Sequence, residues 1–402
     1  MKFLHVGDLH LGRQLGKFDL IDDQRFIMDQ IIDIAENQKV DAVVIAGDVY
    51  DKQTPSEEAV KLLDYFLCKL ACQGIRIYAI SGNHDSAERL AFGSKLLENS
   101  ELYIAAKYEG SIKCCQFQDE FGTVNLYLLP YLKMSQVKYH YQEEADQIKS
   151  YNDAARVLVD HMGLDKTKRN VLVAHQFVSG DKDPRMAGSE VIHDITVGTL
   201  AKIYADVLQD FDYVALGHIH FPQQVGKGNI WYSGSPLKYS LSEAQQEKVL
   251  LLVSIGEKTA DGEFVKVDKI PLKPMRDLRH ITGKLEDLLA KDNVTDVNDF
   301  IYATLTDEKL DDNYMGILRQ TYPNTVSVDF KEDKKDSKEE FVAAGKSMHK
   351  SFRELVEGYY KTLSGNDISQ EEWDILLELA KEVNAENSDS IDLTEVAMDE
   401  TD

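Results

Sequence analysis

The stretch YVALGHIH, which spans Tyr213–His220, shows the pattern that decides the fold of this chain. Its first four residues are apolar, as expected for a short strand that is buried on both faces. Gly217 then allows a sharp turn, because glycine accepts backbone dihedral angles that other residues resist. His218 and His220 lie two residues apart, so both side chains can point to the same side of an extended chain. The stretch therefore predicts a buried strand that delivers two imidazoles to one site.

The same pattern occurs four more times along the chain. The runs are Lys2–Val6 before Asp8 and His10, Val40–Ala46 before Asp48 and Asp51, Ile75–Ile80 before Asn83, His84 and Asp85, and Asn170–Ala174 before His175. Segments with helical periodicity separate the runs, and this alternation predicts an α/β fold with layered sheets. Because such sheets bind ligands at the carboxyl ends of their strands, we expect these side chains to meet at one edge.

One of the intervening helices has clear boundary signals. Thr54 is the expected cap, Pro55 the expected first helical residue, and Glu57 its partner in a capping box. Gly74 stands where a helix commonly ends. These signals predict a helix between the second and third strands.

The side chains at the strand ends indicate a metal site. Carboxylate, amide and imidazole donors without cysteine favour Mn, Fe or Zn over a soft metal. A carboxylate has two oxygens, so one Asp can bridge two ions about 3.5–4 Å apart, the separation used in two-metal phosphoryl chemistry. One such motif alone would be typical of a turn or a structural histidine. Five in succession, each after a predicted strand, predict a metal site in which one bridging Asp would allow two ions to bind.

The composition limits the class of this 402-residue chain. Hydrophobic residues make up 43% and charged residues 29%, a balance typical of globular proteins. No apolar run approaches the ~20 residues needed to cross a bilayer, and the first residues meet polar groups too early for a signal peptide. We therefore expect a cytoplasmic protein that does not bind membranes. The net charge of −25 argues against broad wrapping of nucleic acid, although two bound cations would reverse the local field.

The pattern changes along the chain and predicts four regions. The alternating motifs cover residues 1–270. Residues 271–330 are typical of a small α+β unit, with strands at 276–283, 299–306 and 325–330 and helices near 284–291 and 312–321. Residues 337–382 carry two amphipathic helices after a charged linker. Residues 383–402 hold seven acids without Lys or Arg, which is typical of a disordered tail.

The order of the motifs resembles that of the calcineurin-like metallophosphoesterases: Asp-x-His, Gly-Asp-x-x-Asp, Gly-Asn-His-Asp/Glu, a lone His, and Gly-His-x-His. The chain is still more similar to the SbcD-type nuclease subunits and their archaeal and eukaryotic break-repair counterparts. This similarity extends through Gly234–Leu237, Ser242-Glu243 and Pro274–Arg279. The last stretch resembles the start of the family's capping domain, so the resemblance implies that residues 271–330 form this domain and contact DNA. Gly7 and Leu9 stand where relatives often have a hydroxyl residue and Trp, but neither position is a ligand.

The resemblance implies a specific set of ligands. It implies two ions bridged by Asp48, the first also held by Asp8, His10 and His220, and the second also by Asn83, His175 and His218. A water molecule activated by the ions would attack the phosphodiester phosphorus in line.

The resemblance also implies roles for three further residues. His84 would stabilise the developing charge or protonate the leaving oxygen. Asp51 resembles the carboxylate that orients this histidine, and Asp85 is an alternative partner.

The implied activity is that of a DNA nuclease subunit. It would use two Mn ions to cut phosphodiester bonds at DNA ends and hairpins, as an exonuclease and an endonuclease. The resemblance implies a coiled-coil ATPase partner, SbcC, bound through the terminal helices, and a homodimer within a heterotetramer that acts in DNA repair and recombination.

Two other functions stay open at this point. The first is a stand-alone phosphoesterase that acts on a small phosphodiester or nucleotide. The second is a non-catalytic scaffold, although every expected ligand is present. Five basic residues near the ligand segments are either contacts to a DNA backbone or ordinary solvated charges: Arg13, Lys17, Arg89, Lys182 and Arg185.

Overall fold

The computed structural model describes residues 1–188, 202–259, 264–307 and 313–331, together with positions 360, 368–369, 372–373 and 376. Residues 1–331 form one compact unit and residues 332–402 a second. The predicted helices at 337–382 lie outside the described residues except for those few positions, and the acidic tail at 383–402 lies entirely outside them.

The described elements are numbered in chain order. The helices are α1 Ile21–Asn37, α2 Glu57–Cys72, α3 Ala87–Leu90, α4 Ser94–Leu97, α5 Met134–His140, α6 Tyr151–His161, α7 Leu285–Leu289 and α8 Tyr314–Thr321. The strands are β1 Lys2–Val6, β2 Gln14–Leu15, β3 Phe18–Asp19, β4 Ala42–Ala46, β5 Arg76–Ile80, β6 Leu102–Ala105, β7 Lys113–Asp119, β8 Gly122–Leu129, β9 Arg169–Ala174, β10 Val178–Ser179, β11 Ile203–Tyr204, β12 Tyr213–Leu216, β13 Gln223–Gln224, β14 Ile230–Tyr232, β15 Val249–Ile255, β16 Val265–Pro271, β17 Leu278–Gly283, β18 Phe300–Leu305 and β19 Thr325–Phe330.

Two six-stranded sheets form the large N-terminal region. The first has the order β16-β15-β1-β4-β5-β6, with β1, β4, β5 and β6 parallel. The second has the order β13-β14-β12-β9-β8-β7, with β14, β12, β9 and β8 parallel. The five predicted strands are thus confirmed as β1, β4, β5, β9 and β12, with boundaries within two residues of those expected.

Alternation of side chains along these strands builds three apolar layers. In β4, Val44 faces the second sheet, while Val43 faces helices α1 and α2. In β9, Val173 faces the first sheet, while Leu172 faces α5 and α6. Each such side chain stabilises the fold by about 1.5–3 kcal/mol when it is buried. The result is a layered α/β fold with helices outside two packed sheets, as the sequence predicts.

The start of helix α2 differs from the expectation. Ser56 is the cap, and its hydroxyl oxygen accepts a hydrogen bond from the amide of Ala59 at 3.2 Å. The prediction of Thr54 was therefore wrong by two residues. Both residues carry a hydroxyl that can cap a helix, so residue type alone does not distinguish them. The helix stops before Gly74, whose φ is +73°.

The small region that follows residue 270 has its own core. Strands β17, β18 and β19 are all parallel, and α7 and α8 connect them in turn. Leu278 and Phe300 pack instead into the core of the large region, where the ring of Phe18 lies 5.9 Å from that of Phe300. Arg276 forms an ion pair with Asp23 of α1, which joins the two regions further. Among the described helices, none is both long and apolar enough to cross a membrane.

Candidate metal centre

Several predicted ligands occupy an unusual backbone conformation. The φ angles of Asp8, His10, Asp48 and His218 are 52°, 43°, 47° and 90°, in the left-handed region that residues other than glycine rarely adopt. Such a conformation costs on the order of 1–3 kcal/mol per residue and persists only where the surroundings enforce it. Here the amide of His10 donates to the carbonyl of Asp48 at 2.9 Å, and the amide of His218 donates to the Asp8 carboxylate at 2.8 Å. The strained turns therefore hold one another in place.

Two glycines permit the close approach of these turns. A Cβ atom on Gly82 would overlap the carboxylate and the amide of Asp48. A Cβ atom on Gly217 would overlap the carbonyl of Ala46 and the ring of His175. The absence of a side chain at Gly82 thus lets two neighbouring strand ends of the first sheet approach each other, and its absence at Gly217 lets strand ends from the two sheets meet.

The first predicted ligand set is brought together. The Nε2 atoms of His10 and His220 lie 3.1 Å apart, and a carboxylate oxygen of Asp8 lies within 4.8 Å of both rings' donor atoms. Oδ2 of Asp48 is 3.6 Å from Nε2 of His10. All four side chains are buried.

The second predicted set lies beside the first. Oδ1 of Asn83 is 3.1 Å from Nε2 of His175 and 3.0 Å from Nδ1 of His218. Oδ2 of Asp48 is 3.3 Å from Nε2 of His175, so this carboxylate contacts both sets. All seven predicted ligands thus converge where five strands from two sheets end.

The donors of this cluster fit a pair of divalent cations. Oδ2 of Asp8 is buried and has no hydrogen-bond partner among the described residues. Because buried polar atoms are nearly always paired, this oxygen is suited to bind a cation. Carboxylate, amide and imidazole donors match the preferences of Mn, Fe and Zn. The residues that would hold the ions are therefore those of the two sets above.

Burial and mutual contact set the protonation of the cluster. Burial lowers the pKa of His218 to about 3 and places that of His10 well below its usual value, so both rings are neutral. Burial alone would lower the pKa of His175, but the carboxylate of Asp48 raises it to about 9. Burial raises the pKa of Asp8 to about 6. These shifts favour a protonated His175 ring beside an ionised Asp48 carboxylate, and a bound cation would compete with that proton, as is general for metal ligands.

His84 lies against the same cluster. Its amide donates to Oδ1 of Asp48 at 2.9 Å, and its ring lies 4.8 Å from that of His10. Nδ1 of His84 is 3.0 Å from the backbone carbonyl of Asp51. Because a carbonyl only accepts, Nδ1 carries the proton, and Nε2 is the atom that can gain or give one.

The two carboxylates expected to orient His84 are engaged elsewhere. The Asp51 carboxylate accepts from Nη1 of Arg13 at 2.8 Å and lies 3.6 Å from Nδ1 of His10. The Asp85 carboxylate accepts from three backbone amides, those of residues 49, 50 and 82, at 2.8–3.1 Å. Asp85 therefore binds two ligand turns together, and the main chain of Asp51 holds His84.

A buried ion pair behind His220 was not predicted as part of the site. Oε1 of Glu243 is 3.3 Å from Nδ1 of His220, and Oε2 accepts from Nζ of Lys248 at 2.5 Å. Nζ of Lys248 also donates to the carbonyl of His220 at 3.1 Å. A carboxylate behind a ligating histidine fixes its tautomer and ring orientation. No local signal around Ser242-Glu243 in the sequence indicates this role.

Two further buried side chains support the first ligand turn. The amide nitrogen of Gln24 donates to the carbonyl of His10 at 2.7 Å. The hydroxyl of Tyr239 donates to the carbonyl of Leu9 at 2.5 Å, and its ring packs edge-on against those of His10 and His220. His5, expected to be structural, lies 2.9 Å from the Tyr213 hydroxyl and away from the ligands.

Comparison with known proteins agrees with this geometry. The calcineurin-like phosphoesterase family matches residues 1–222, and the family described as the type 5 capsule protein repressor C-terminal domain matches residues 274–362. The SbcD subunit of the nuclease SbcCD from Staphylococcus epidermidis is 32% identical over 379 residues, which cover 92% of this chain and 95% of that protein.

Solved structures offer a weaker likeness. A dimetal phosphatase from Danio rerio matches 68% of this chain and 98% of its own, with 12% identity and a TM-score of 0.38. The E. coli phosphoesterase Yfce matches 68% of this chain and all of its own, with 12% identity and a TM-score of 0.27. Both TM-scores are too low to assign this chain to a family. The family matches and the near full-length relative support that assignment. The chain belongs to the calcineurin-like phosphoesterases and, within them, to the SbcD-type nuclease subunits.

Proposed function

We propose that this chain is the nuclease subunit of an SbcCD-type complex and hydrolyses DNA phosphodiester bonds with two Mn ions. Its substrates would be DNA ends and hairpins, which it would cut as an exonuclease and an endonuclease. A metal-dependent nuclease role follows from family membership, while the identity of the metal and the choice of DNA structure are our inference.

One observation carries the proposal most strongly. Seven nitrogen and oxygen donors from five strands converge with Asp48 at their centre, and the buried oxygen Oδ2 of Asp8 has no hydrogen-bond partner within the described ranges. We assign Asp8, His10, Asp48 and His220 to one ion, and Asp48, Asn83, His175 and His218 to the other.

The chain's own residues have distinct roles in this proposal. Two such ions would lower the pKa of a water nucleophile and stabilise charge on the phosphate. In its doubly protonated form, the ring of His84 would donate a hydrogen bond or a proton from Nε2 to the leaving oxygen, while Nδ1 keeps its hydrogen bond to the carbonyl of Asp51. Asp85 and Glu243 would keep the ligand turns in register without touching substrate.

The test is Mn-dependent cleavage of an end-labelled DNA hairpin and duplex by the full chain. Bis(4-nitrophenyl) phosphate is assayed in parallel, and Asp48→Ala is the control. Cleavage of all three substrates, lost in the variant, is the expected result. Turnover of the small ester alone, with intact DNA even after the ATPase partner is added, would favour the stand-alone phosphoesterase and refute the proposal.

The role of His84 has its own measurement. We expect His84→Ala to abolish cleavage and to leave both metal ions bound, as determined by elemental analysis. His84 lies within 4.8 Å of donor atoms of His10 and Asp48, so a ligand role is the competing assignment. Loss of one metal equivalent in the variant would establish that assignment instead.

We also propose the partners that the resemblance implies. An SbcC-type ATPase would bind the helices that the sequence predicts at 337–382, and two copies of this chain would pair within a heterotetramer, in the cytoplasm and at the nucleoid when DNA is bound. Phe92, between α3 and α4, and Leu96, within α4, are 88% and 76% exposed and offer an apolar surface for a second copy. Deletion of residues 337–402 should abolish capture of the ATPase and spare metal binding. Normal capture by the truncated chain would refute the assignment of those helices.

A further inference from the structure

Arg13 places a positive charge beside the proposed metal ligands of a strongly acidic chain. We call the edge where the strands that carry these ligands end the metal edge. It follows the first ligand turn directly, and its amide donates to the carbonyl of His10 at 3.0 Å. Its Nη1 donates to Oδ1 of Asp51 at 2.8 Å, and the same oxygen lies 3.6 Å from Nδ1 of His10. One carboxylate oxygen therefore separates the guanidinium from the ring of a predicted ligand.

Only part of this guanidinium is used by the protein. Nη1 is bound to Asp51, whereas Nε and Nη2 have no hydrogen-bond partner among the residues that the structure describes. The side chain is 25% exposed, so these donors can reach solvent. A planar fork of charged donors is well suited to bind phosphate oxygens in a bidentate manner.

The surroundings of Arg13 place it where the two regions meet. The hairpin of β2 and β3 starts at the next residue, and its Phe18 packs on Phe300 of the small region. The charge of Arg13 also reaches Tyr302 of β18, where it opposes the rise in pKa that burial causes. Arg13 thus lies beside the metal edge and faces the region expected to contact DNA.

We propose that Arg13 binds a phosphate of the DNA strand next to the scissile phosphate, an inference that rests on the proposed nuclease function. Nε2 of His10 faces the ligand cluster and Nδ1 faces Asp51, so the ring and the carboxylate both stand between Arg13 and the reacting centre. The neighbouring phosphate is therefore the group within its reach. If Arg13 only neutralised Asp51, the contact through Nη1 would be sufficient. That role would not explain why Nε and Nη2 remain unpaired among the described residues and accessible to solvent.

The test compares Arg13→Gln with Arg25→Gln in the full chain. Arg25 is exposed on α1, with its guanidinium 4.6 Å from the centre of the Tyr65 ring, so the control removes the same charge elsewhere. Affinity for a phosphorothioate hairpin, which resists cleavage, is measured by fluorescence anisotropy across a salt series. Metal content and turnover of bis(4-nitrophenyl) phosphate are measured on the same samples.

We expect Arg13→Gln to weaken hairpin binding about tenfold and to reduce the slope of log affinity against log salt by about 0.7–0.9, the value of one phosphate contact. Arg25→Gln should leave the slope at the wild-type value. An unchanged slope in Arg13→Gln, or equal losses of ester turnover, metal and DNA binding, would overturn the inference and leave Arg13 as a support for Asp51. A wild-type chain that neither binds nor cuts DNA would overturn the proposed function itself, and this inference with it.

Discussion

The buried pair of Glu243 and Lys248 behind His220 provides the most demanding prediction. Both side chains are almost inaccessible, with 0% and 4% of their surfaces exposed. Burial alone would raise the pKa of Glu243, but His220 and Lys248 hold it well below its usual range, so the pair is ionised. The perturbation is the double-mutant cycle of Glu243→Gln and Lys248→Met.

The expected magnitude follows from the contacts of each partner. Removal of one member of a buried ion pair leaves an uncompensated charge and costs about 3–5 kcal/mol of unfolding free energy. The loss of unfolding free energy in Lys248→Met should be near the lower end of this range. The reason is that the Glu243 carboxylate keeps hydrogen bonds from Ser235 and Ser240, each at 3.1 Å. The double variant removes both charges while it keeps the shapes. It should therefore lose about 2–3 kcal/mol less than the sum of the single variants.

The assay is urea unfolding of the four proteins in the presence of a chelator, so that metal binding does not contribute to the midpoint. The free energies come from linear extrapolation. A coupling energy below about 0.5 kcal/mol would refute the view that the two charges depend on each other.

The same variants test the link to the metal site. Glu243→Gln should weaken metal binding about tenfold, the smaller of the losses usual for such partners, because an amide oxygen can still accept from Nδ1 of His220. Isothermal titration with Mn would measure it. Wild-type affinity in Glu243→Gln would mean that this carboxylate does not orient the ring.

Three further predictions concern the turns, the ions and the second sheet. Gly82→Ala should abolish metal binding with little loss of helix content, because its methyl group would displace Asp48; elemental analysis and circular dichroism would detect this, and full metal content would contradict it. Chelation should lower the thermal midpoint by about 5 °C, from a stabilisation of about 2.7 kcal/mol at a hundredfold excess of metal over its dissociation constant, and a midpoint that ignores added Mn would be contrary evidence. Burial would raise the pKa of Asp119, but Arg169 lowers it below the usual 3.8, so its contribution to stability is present above about pH 4 and is lost as the pH falls. Asp119→Asn should therefore flatten the acid limb of the stability profile, and an unaltered limb would argue against the pairing.

The convergence of the seven proposed ligands could be predicted from the sequence because their signals are local. Each lies within a few residues of an apolar run, and the parallel arrangement of such runs brings their ends to one edge. The match between Tyr213–Leu216 and β12 is complete, and the seven expected side chains do converge. The alternation of strand and helix patterns along the chain was enough to predict packed layers.

Other features depend on contacts that residue types do not reveal. Glu243 lies 23 positions after His220, and only the folded chain brings their side chains together. His84 is held by a carbonyl group, which every residue carries, so the sequence suggested a carboxylate instead. The parallel order of β17, β18 and β19 was likewise not specified, since a short strand pattern does not define the direction of pairing.

Because the proposed ligands are divided between two sheets, metal binding should be sensitive to mutations that disturb the packing of one sheet on the other. Asp8, Asp48 and Asn83 follow strands of the first sheet, whereas His175, His218 and His220 follow strands of the second. No continuous fragment confined to one sheet carries a whole site. The metal content thus reports on the packing of the two sheets against each other. A variant that weakens this packing at any point would release its ions before its helices unfold.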